Sequence, residues 1–158
     1  MAEDKRILRL PRSSEIPSIG LYLDQTVKYI NRVFEPISCV EVTPSMVSNY
    51  VKKKYIEKPV KKLYDRDQIR KLIFIVLAKL VLSMDHIGIL LDKGRGMPVD
   101  DKAYDEFCNK IERELDSVFG VAGSVNKEGS VREDRFMDTL LSAIAYYIYI
   151  NHCIDKMK

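Results

Sequence analysis

Apolar positions along the 158-residue chain recur mostly three and four apart, the spacing that puts them on one face of a helix. Leu23, Val27, Ile30 and Phe34 fall at that spacing and predict a first helix over Leu21 to Phe34, stopped by Pro36. Thr43 is a good N-cap and Pro44 suits the first helical position, so a second helix is expected over Thr43 to Lys54. The next stretch, YIEKPVKKLY at 55–64, breaks the helical pattern with Pro59 and predicts a turn and a short extended excursion. Asp65 then caps a third helix, Arg66 to about Val81. Its apolar stripe is Ile69, Leu72, Ile73, Val76, Leu77 and Leu80. Ser83 caps a short fourth helix, Met84 to Leu91, expected to bury Ile87, Leu90 and Leu91.

DKGRGMPVDD at 92–101 is the clearest internal boundary. Beyond it Tyr104, Phe107, Cys108, Ile111, Leu115 and Val118 share one face of a fifth helix. A loop is expected at 120–130, with Ser130 and Glu133 spaced as a capping box for a last helix from about Val131 to Ile154. That helix carries Leu140, Leu141, Ile144, Tyr147 and Ile148 with apolar neighbours on nearly every side, so it is expected to be buried almost all round. Its surroundings are a helical core, a dimer interface, or a pocket for a small apolar effector with Tyr146, Tyr147 and Tyr149 as polar handles. Residues 1–20, punctuated by Pro11, Pro17 and Gly20, read as an irregular arm pinned by Ile7, Leu8 and Leu10. The chain thus divides into an arm (1–20), a unit over 21–92 and a C-terminal helical region over 99–158 that serves packing, dimerisation or sensing.

Charge sharpens this picture more than composition does. The chain is 46% hydrophobic and 31% charged, ordinary for a globular protein, and its net charge is only +3. Residues 52–71, however, hold nine basic groups against Glu57, Asp65 and Asp67, a local +6 that leaves the remainder at −3. A basic stripe on a mildly acidic body is the footprint of a polyanion-binding face, although a solvated lysine-rich surface has the same composition. On a helical wheel, Met46, Val47, Tyr50, Val51 and Lys54 fall on one side of the second helix. Ser45, Ser48, Asn49, Lys52 and Lys53 fall on the other. Hydroxyls, a carboxamide and ammonium groups on one face suit base edges and phosphates in a major groove. Lys54, Lys58, Lys61, Lys62 and Arg66 would meet phosphates.

The order of elements fits a helix-turn-helix with a small wing. The stretch TPSMVSNYVKKKYIEKPVKKLYDRDQIRKLIFIVLAKLVLSMDHIGILLD resembles the MerR winged-helix pattern. The match lies in Tyr50, in Tyr55-Ile56 before Pro59, in Lys62-Leu63-Tyr64, in Asp65-Arg66-Asp67 and in Leu82-Ser83-Met84 before Ile87. The whole chain also resembles a bacterial domain family of unknown function described as MerR-like, through LPR at 10–12, LYLDQ at 21–25 and TPSMVSNYVKKKYIEKP. The resemblance implies a mainly α, winged helix-turn-helix fold, with Tyr64 packed between wing and core. Ser48 and Asn49 depart from the MerR pattern, which has a phosphate-binding Arg and an aromatic there. The wing lacks its usual glycine, and the link over Glu35 to Val42 is long.

Other chemistries are not indicated. Cys39, Cys108 and Cys153 are scattered and form no CxxC, which fits a reducing cytoplasm and neither a disulfide framework nor, with His86 and His152, a metal site. The N-terminus lacks the apolar core of a secretory signal, and the longest apolar run, Leu140 to Ile150, is short for a membrane span. No nucleophile–base pair or phosphate-cradling glycine loop is apparent, so neither a cofactor nor enzymatic activity is expected. The expectation is a homodimeric transcriptional regulator that binds double-stranded DNA sequence-specifically. The alternative is a protein-interaction or small-ligand-sensing module that keeps the fold without DNA readout.

Overall fold

Local capping signals decide where each helix begins. The computed structural model describes residues 6–92, 98, 100–121 and 135–158, and among these the protein is mainly helical, with six α-helices. They are α1 (Leu23–Val33), α2 (Pro44–Lys52), α3 (Arg66–Ala78), α4 (Met84–Asp92), α5 (Asp101–Val118) and α6 (Arg135–Met157). Thr43 Oγ1 accepts from the Met46 amide at 3.2 Å, and Ser83 Oγ accepts from the His86 amide at 3.1 Å, so both expected caps are in place. At α3 the cap is reciprocal: Asp65 accepts from the Gln68 amide at 2.9 Å while Gln68 Oε1 accepts from the Asp65 amide at 2.7 Å. Asp100 caps α5 through the Ala103 amide at 2.7 Å. Most of the expected loops at 92–101 and 120–130, and the Ser130–Glu133 capping box, lie outside the described residues.

The long link between α1 and α2 is fixed by one side chain. Asn31 on α1 donates from Nδ2 to the Val42 carbonyl and accepts at Oδ1 from the Val42 amide, both at 2.9 Å. Ile37 and Val42 are buried beneath it. The extended excursion between α2 and α3 is minimal. Among the described residues the β-structure consists of two isolated antiparallel bridges, Leu21 with Tyr64 and Val60 with Leu63. Gly20 makes the first possible, because a Cβ there would lie 2.6 Å from Leu63 Cβ.

Burial corrects two expectations. The helix surrounded on nearly every side is α3, whose Phe74 and Ile75 are buried along with Ile69, Leu72, Ile73, Val76 and Leu77 of the expected stripe, while Leu80 lies beyond its end at Ala78 and is half-buried. Conversely α6 buries one face only, through Leu140, Leu141, Ile144, Ala145 and Ile148, and leaves Tyr146, Tyr147, Tyr149 and Ile150 exposed. The apolar run in each helix is similar, but α3 runs through the middle of the core and α6 lies at its edge against α5. In α4, Ile87 is fully buried, whereas Leu90 and Leu91 are only half-buried.

The N-terminal arm is more than a tail pinned by leucines. Leu8, Leu10 and Ile16 are buried, as expected for the first two, and Ile7 packs half-buried beside them. Its polar groups, however, set the geometry. The carboxylate of Glu112 on α5, only 5% exposed, receives Arg12, Arg6 at 3.3 Å and Arg9 at 4.0 Å. Ser13 donates its amide to Asp105 at 2.8 Å, and the Tyr104 hydroxyl donates to the Pro11 carbonyl at 2.8 Å. From the other side Arg66 at the start of α3 donates twice to the Ile16 carbonyl, at 3.0 and 2.9 Å. Buried Arg70 joins Asp67 of α3 at 2.9 Å, Asp101 of α5 and the Ser13 hydroxyl of the arm.

A buried carboxylate held by three guanidinium groups should be expensive to delete. Glu112→Ala is expected to lower stability by about 2–3 kcal/mol, since the arginines left behind can reach solvent. Urea denaturation should show that loss, and Glu112→Gln, which keeps the shape and part of the hydrogen bonding, should lose less.

Candidate nucleic-acid interface

Helix α2 is short and two-faced. Val47 and Tyr50 are buried and Met46 and Val51 half-buried, while Ser45, Ser48, Asn49, Lys52 and Lys53 are all exposed. Lys54, expected on the packing side of the wheel, is exposed because the helix has ended before it. The Tyr55 amide bonds the Tyr50 carbonyl at 2.9 Å and the Lys54 amide bonds the Val51 carbonyl at 3.0 Å, a Schellman arrangement with Lys54 at φ 63°. That left-handed position ordinarily takes glycine, and a side chain there costs roughly 1 kcal/mol.

The same substitution of lysine for glycine recurs at the hairpin tip. Val60 and Leu63 close a two-residue turn through a 2.9 Å bond from the Leu63 amide to the Val60 carbonyl. Its two central residues are Lys61 at φ 51° and Lys62 at φ 66°. Paired positive φ values are those of a type I′ turn, for which Asn-Gly is favoured. Among the described residues the non-glycine positions with positive φ are therefore Lys54, Lys61 and Lys62. Such outliers persist only where the surroundings impose them, and they concentrate at functional sites.

Ion pairing sorts the basic window into two groups. Lys71 reaches Glu57 at 3.7 Å and Asp67 at 3.3 Å, Arg70 is buried against Asp67 and Asp101, and Asp65 is occupied as the cap of α3. Lys52, Lys53, Lys54, Lys58, Lys61 and Lys62 are exposed and make no ion pair among the described residues. Of the ten candidate residues, Arg66 alone is half-buried, and the Ile16 carbonyl already takes two of its donors. The structure thus leaves nine of them exposed on α2, the hairpin and the stretch between them, and draws Arg66 toward the arm.

Three tyrosines mount this surface on the core. Tyr64 is buried at the base of the hairpin, as the resemblance implied, and burial raises its pKa. Tyr55 donates its hydroxyl to the Met84 carbonyl at 2.8 Å, with its ring against Gly88, where a Cβ would lie 2.9 Å from that hydroxyl. Tyr50 carries α2 into the core, with Lys79 Nζ 5.8 Å from its ring centroid. The inward pairing of Arg70 and Lys71 was readable from their i,i+3 and i,i+4 spacing to Asp67. The turn of 61–62 was hidden because lysines stand where asparagine and glycine would announce it.

Away from this face, a cleft of about 280 Å³ opens between the arm, the α1–α2 link, the end of α5 and α6. Ile37, Phe119 and Ile148 supply apolar lining and Arg6, Cys39 and His152 polar lining. The tyrosines expected as handles for an effector are not among its lining residues. The cysteines are free thiols, and burial pushes Cys108 up to about 12. Among the described residues no cluster of three or more His, Cys, Asp or Glu could hold a metal ion, and no helix is long and apolar enough to cross a membrane.

Residues 11–107 match the model of a family described as a domain of unknown function, DUF1836. The matched span runs from the arm through the first part of α5, so it includes all of α1 to α4. Neither the curated proteins nor the solved structures contain a match to the chain.

Replacing Lys54 by Gly should relieve its left-handed backbone. The expected gain is about 1 kcal/mol in urea denaturation, with an unchanged dependence on denaturant concentration.

Proposed function

We propose that this chain, which belongs to the DUF1836 family, is a sequence-specific regulator of transcription that binds double-stranded DNA and has no catalytic role. In this proposal α1 and α2 form a MerR-like helix-turn-helix and the 60–63 hairpin is a reduced wing. Helix α2 enters a major groove, where Ser45, Ser48 and Asn49 face base edges and Lys52 and Lys53 reach the flanking phosphates. Lys54, Lys58, Lys61 and Lys62 meet phosphates alongside. Arg66 contributes through positioning, because its guanidinium is engaged by the arm.

The observation that carries the proposal is the identity of the residues in strained backbone. Lys54, Lys61 and Lys62 occupy left-handed positions at a cost in stability, and all three are exposed, Lys54 directly after α2 and the other two at the hairpin tip. A merely solvated surface gains nothing from cations at those points, whereas a phosphate-binding one does. The Ser48 and Asn49 departures leave α2 with short polar side chains, which suit close approach to base edges better than a long-range phosphate contact. The cleft beside α6 favours a second reading of the C-terminal region, in which a small amphipathic ligand binds there; the α1–α2 link in its wall would connect it to α2.

Each lysine that neutralises a phosphate adds about 0.9 to the slope of log affinity against log salt. Lys52→Ala with Lys61→Ala should flatten that slope by roughly two units, measured on fragments selected from sheared genomic DNA. Asn49→Ala should instead reduce the preference for the selected sequence and leave the slope intact. A wild-type protein without salt-dependent affinity for any fragment would refute the proposal.

A further inference from the structure

We infer that the outward face of α6 pairs with the same face of a second copy of this chain, in antiparallel orientation. The inference is independent of DNA binding.

The core-facing side of α6 is complete without that face. Opposite it, Phe136, Ala143, Ile150 and Met157 stand seven residues apart, and Thr139, Tyr146 and Cys153 follow the first three at an interval of three. This is the narrow a/d stripe of a coiled-coil seam, and the 23 residues of α6 carry it through three heptads. Tyr146 is 58% exposed, Ile150 55% and Met157 81%. No Asp, Glu, Lys or Arg falls between Asp138 and Asp155, so nothing charged interrupts the stripe. The exposed apolar side chains of the stripe, with Tyr147 and Ile154 beside it, present roughly 600–700 Å², at the lower end of what each partner contributes to a standard protein interface.

Side-chain size selects the orientation. In the antiparallel register with Ala143 facing Tyr146 of the second copy, Thr139 faces Ile150 and Phe136 faces Cys153. Each of these three layers then sets a larger side chain against a smaller one, as close packing requires. A parallel pair would stack Tyr146 on Tyr146 and Ala143 on Ala143, giving one crowded layer and one empty one. The antiparallel register also opposes the two helix dipoles. A membrane surface fits less well, because a lipid-binding face is flanked by basic residues along its length. Here the basic residues stand at the two ends of α6, Arg135 at its start and Lys156 near its finish, with no Lys or Arg between.

Sedimentation equilibrium on the full chain without DNA should give a mass near twice 18.3 kDa at micromolar concentration. Ile150→Glu should yield the 18.3 kDa species at the same concentration, with the helical circular dichroism unchanged. Ala143→Glu, on the same stripe, provides the same test if Ile150→Glu loses helicity. For orientation, oxidised Phe136→Cys should form a covalent dimer that peptide mapping places between position 136 and Cys153 of the second copy. A monomeric wild type, including one that instead sediments with anionic vesicles, would overturn the inference. So would a dimer indifferent to both glutamates, or a cross-link joining the two Cys153 residues.

Discussion

The fold depends on a carboxylate that has no business alone in a protein interior. Glu112 is buried on α5 and is held there by arginines from the N-terminal arm. Isolated burial of such a charge would be prohibitive, so the arm cannot leave without giving the carboxylate back to solvent. Once fastened, the arm lays Leu8, Leu10 and Ile16 over the core and offers the Ile16 carbonyl to Arg66 and the Ser13 hydroxyl to Arg70. A segment without regular structure beyond a single 3-10 turn, Ser13–Glu15, thereby joins α5 to the start of α3. The family match, residues 11–107, includes Arg12, Ser13 and Ile16 of the arm with Arg66 and Arg70 of α3, and leaves out Arg6, Arg9 and Glu112.

The fixed position of α3 in turn orients the basic surface. Because α3 is buried on nearly all sides, the acids of the 52–71 window near its start are consumed by capping and by pairing with Arg70 and Lys71. What remains facing outward is lysine. Tyr50, Tyr55 and Tyr64 tie α2 and the hairpin to the core from three directions, so the lysines ride on a supported scaffold despite the near absence of a sheet. A two-residue hairpin with one closing bridge is marginal by itself. The paired hydrogen bonds between Leu21 and Tyr64 and the contact of Gly20 with Leu63 supply the missing support.

Much of this was legible from the chain alone. Thr43, Asp65 and Ser83 announced the starts of α2, α3 and α4, because a short polar side chain before an apolar stripe has one dominant local use. The two faces of α2 followed from periodicity. Periodicity could not say how many neighbours a helix has, which is why all-round burial was assigned to α6 and belongs to α3. Neither could it show that Arg66 turns to the arm, since its partner is a backbone carbonyl fifty residues earlier. The positive φ values of Lys54, Lys61 and Lys62 were invisible for a related reason: residue type signals a left-handed backbone only when glycine or asparagine occupies it.

In the proposed function, lysines are kept in unfavourable backbone because their charge meets phosphate. The most direct measurement replaces the hairpin tip with its favoured residues, Lys61→Asn with Lys62→Gly, and follows stability and DNA affinity in the same protein. Removing two left-handed side chains should stabilise the fold by roughly 1–2 kcal/mol, while affinity for selected DNA falls. A variant that gains stability and binds DNA as tightly as the wild type, at every salt concentration, would contradict the account.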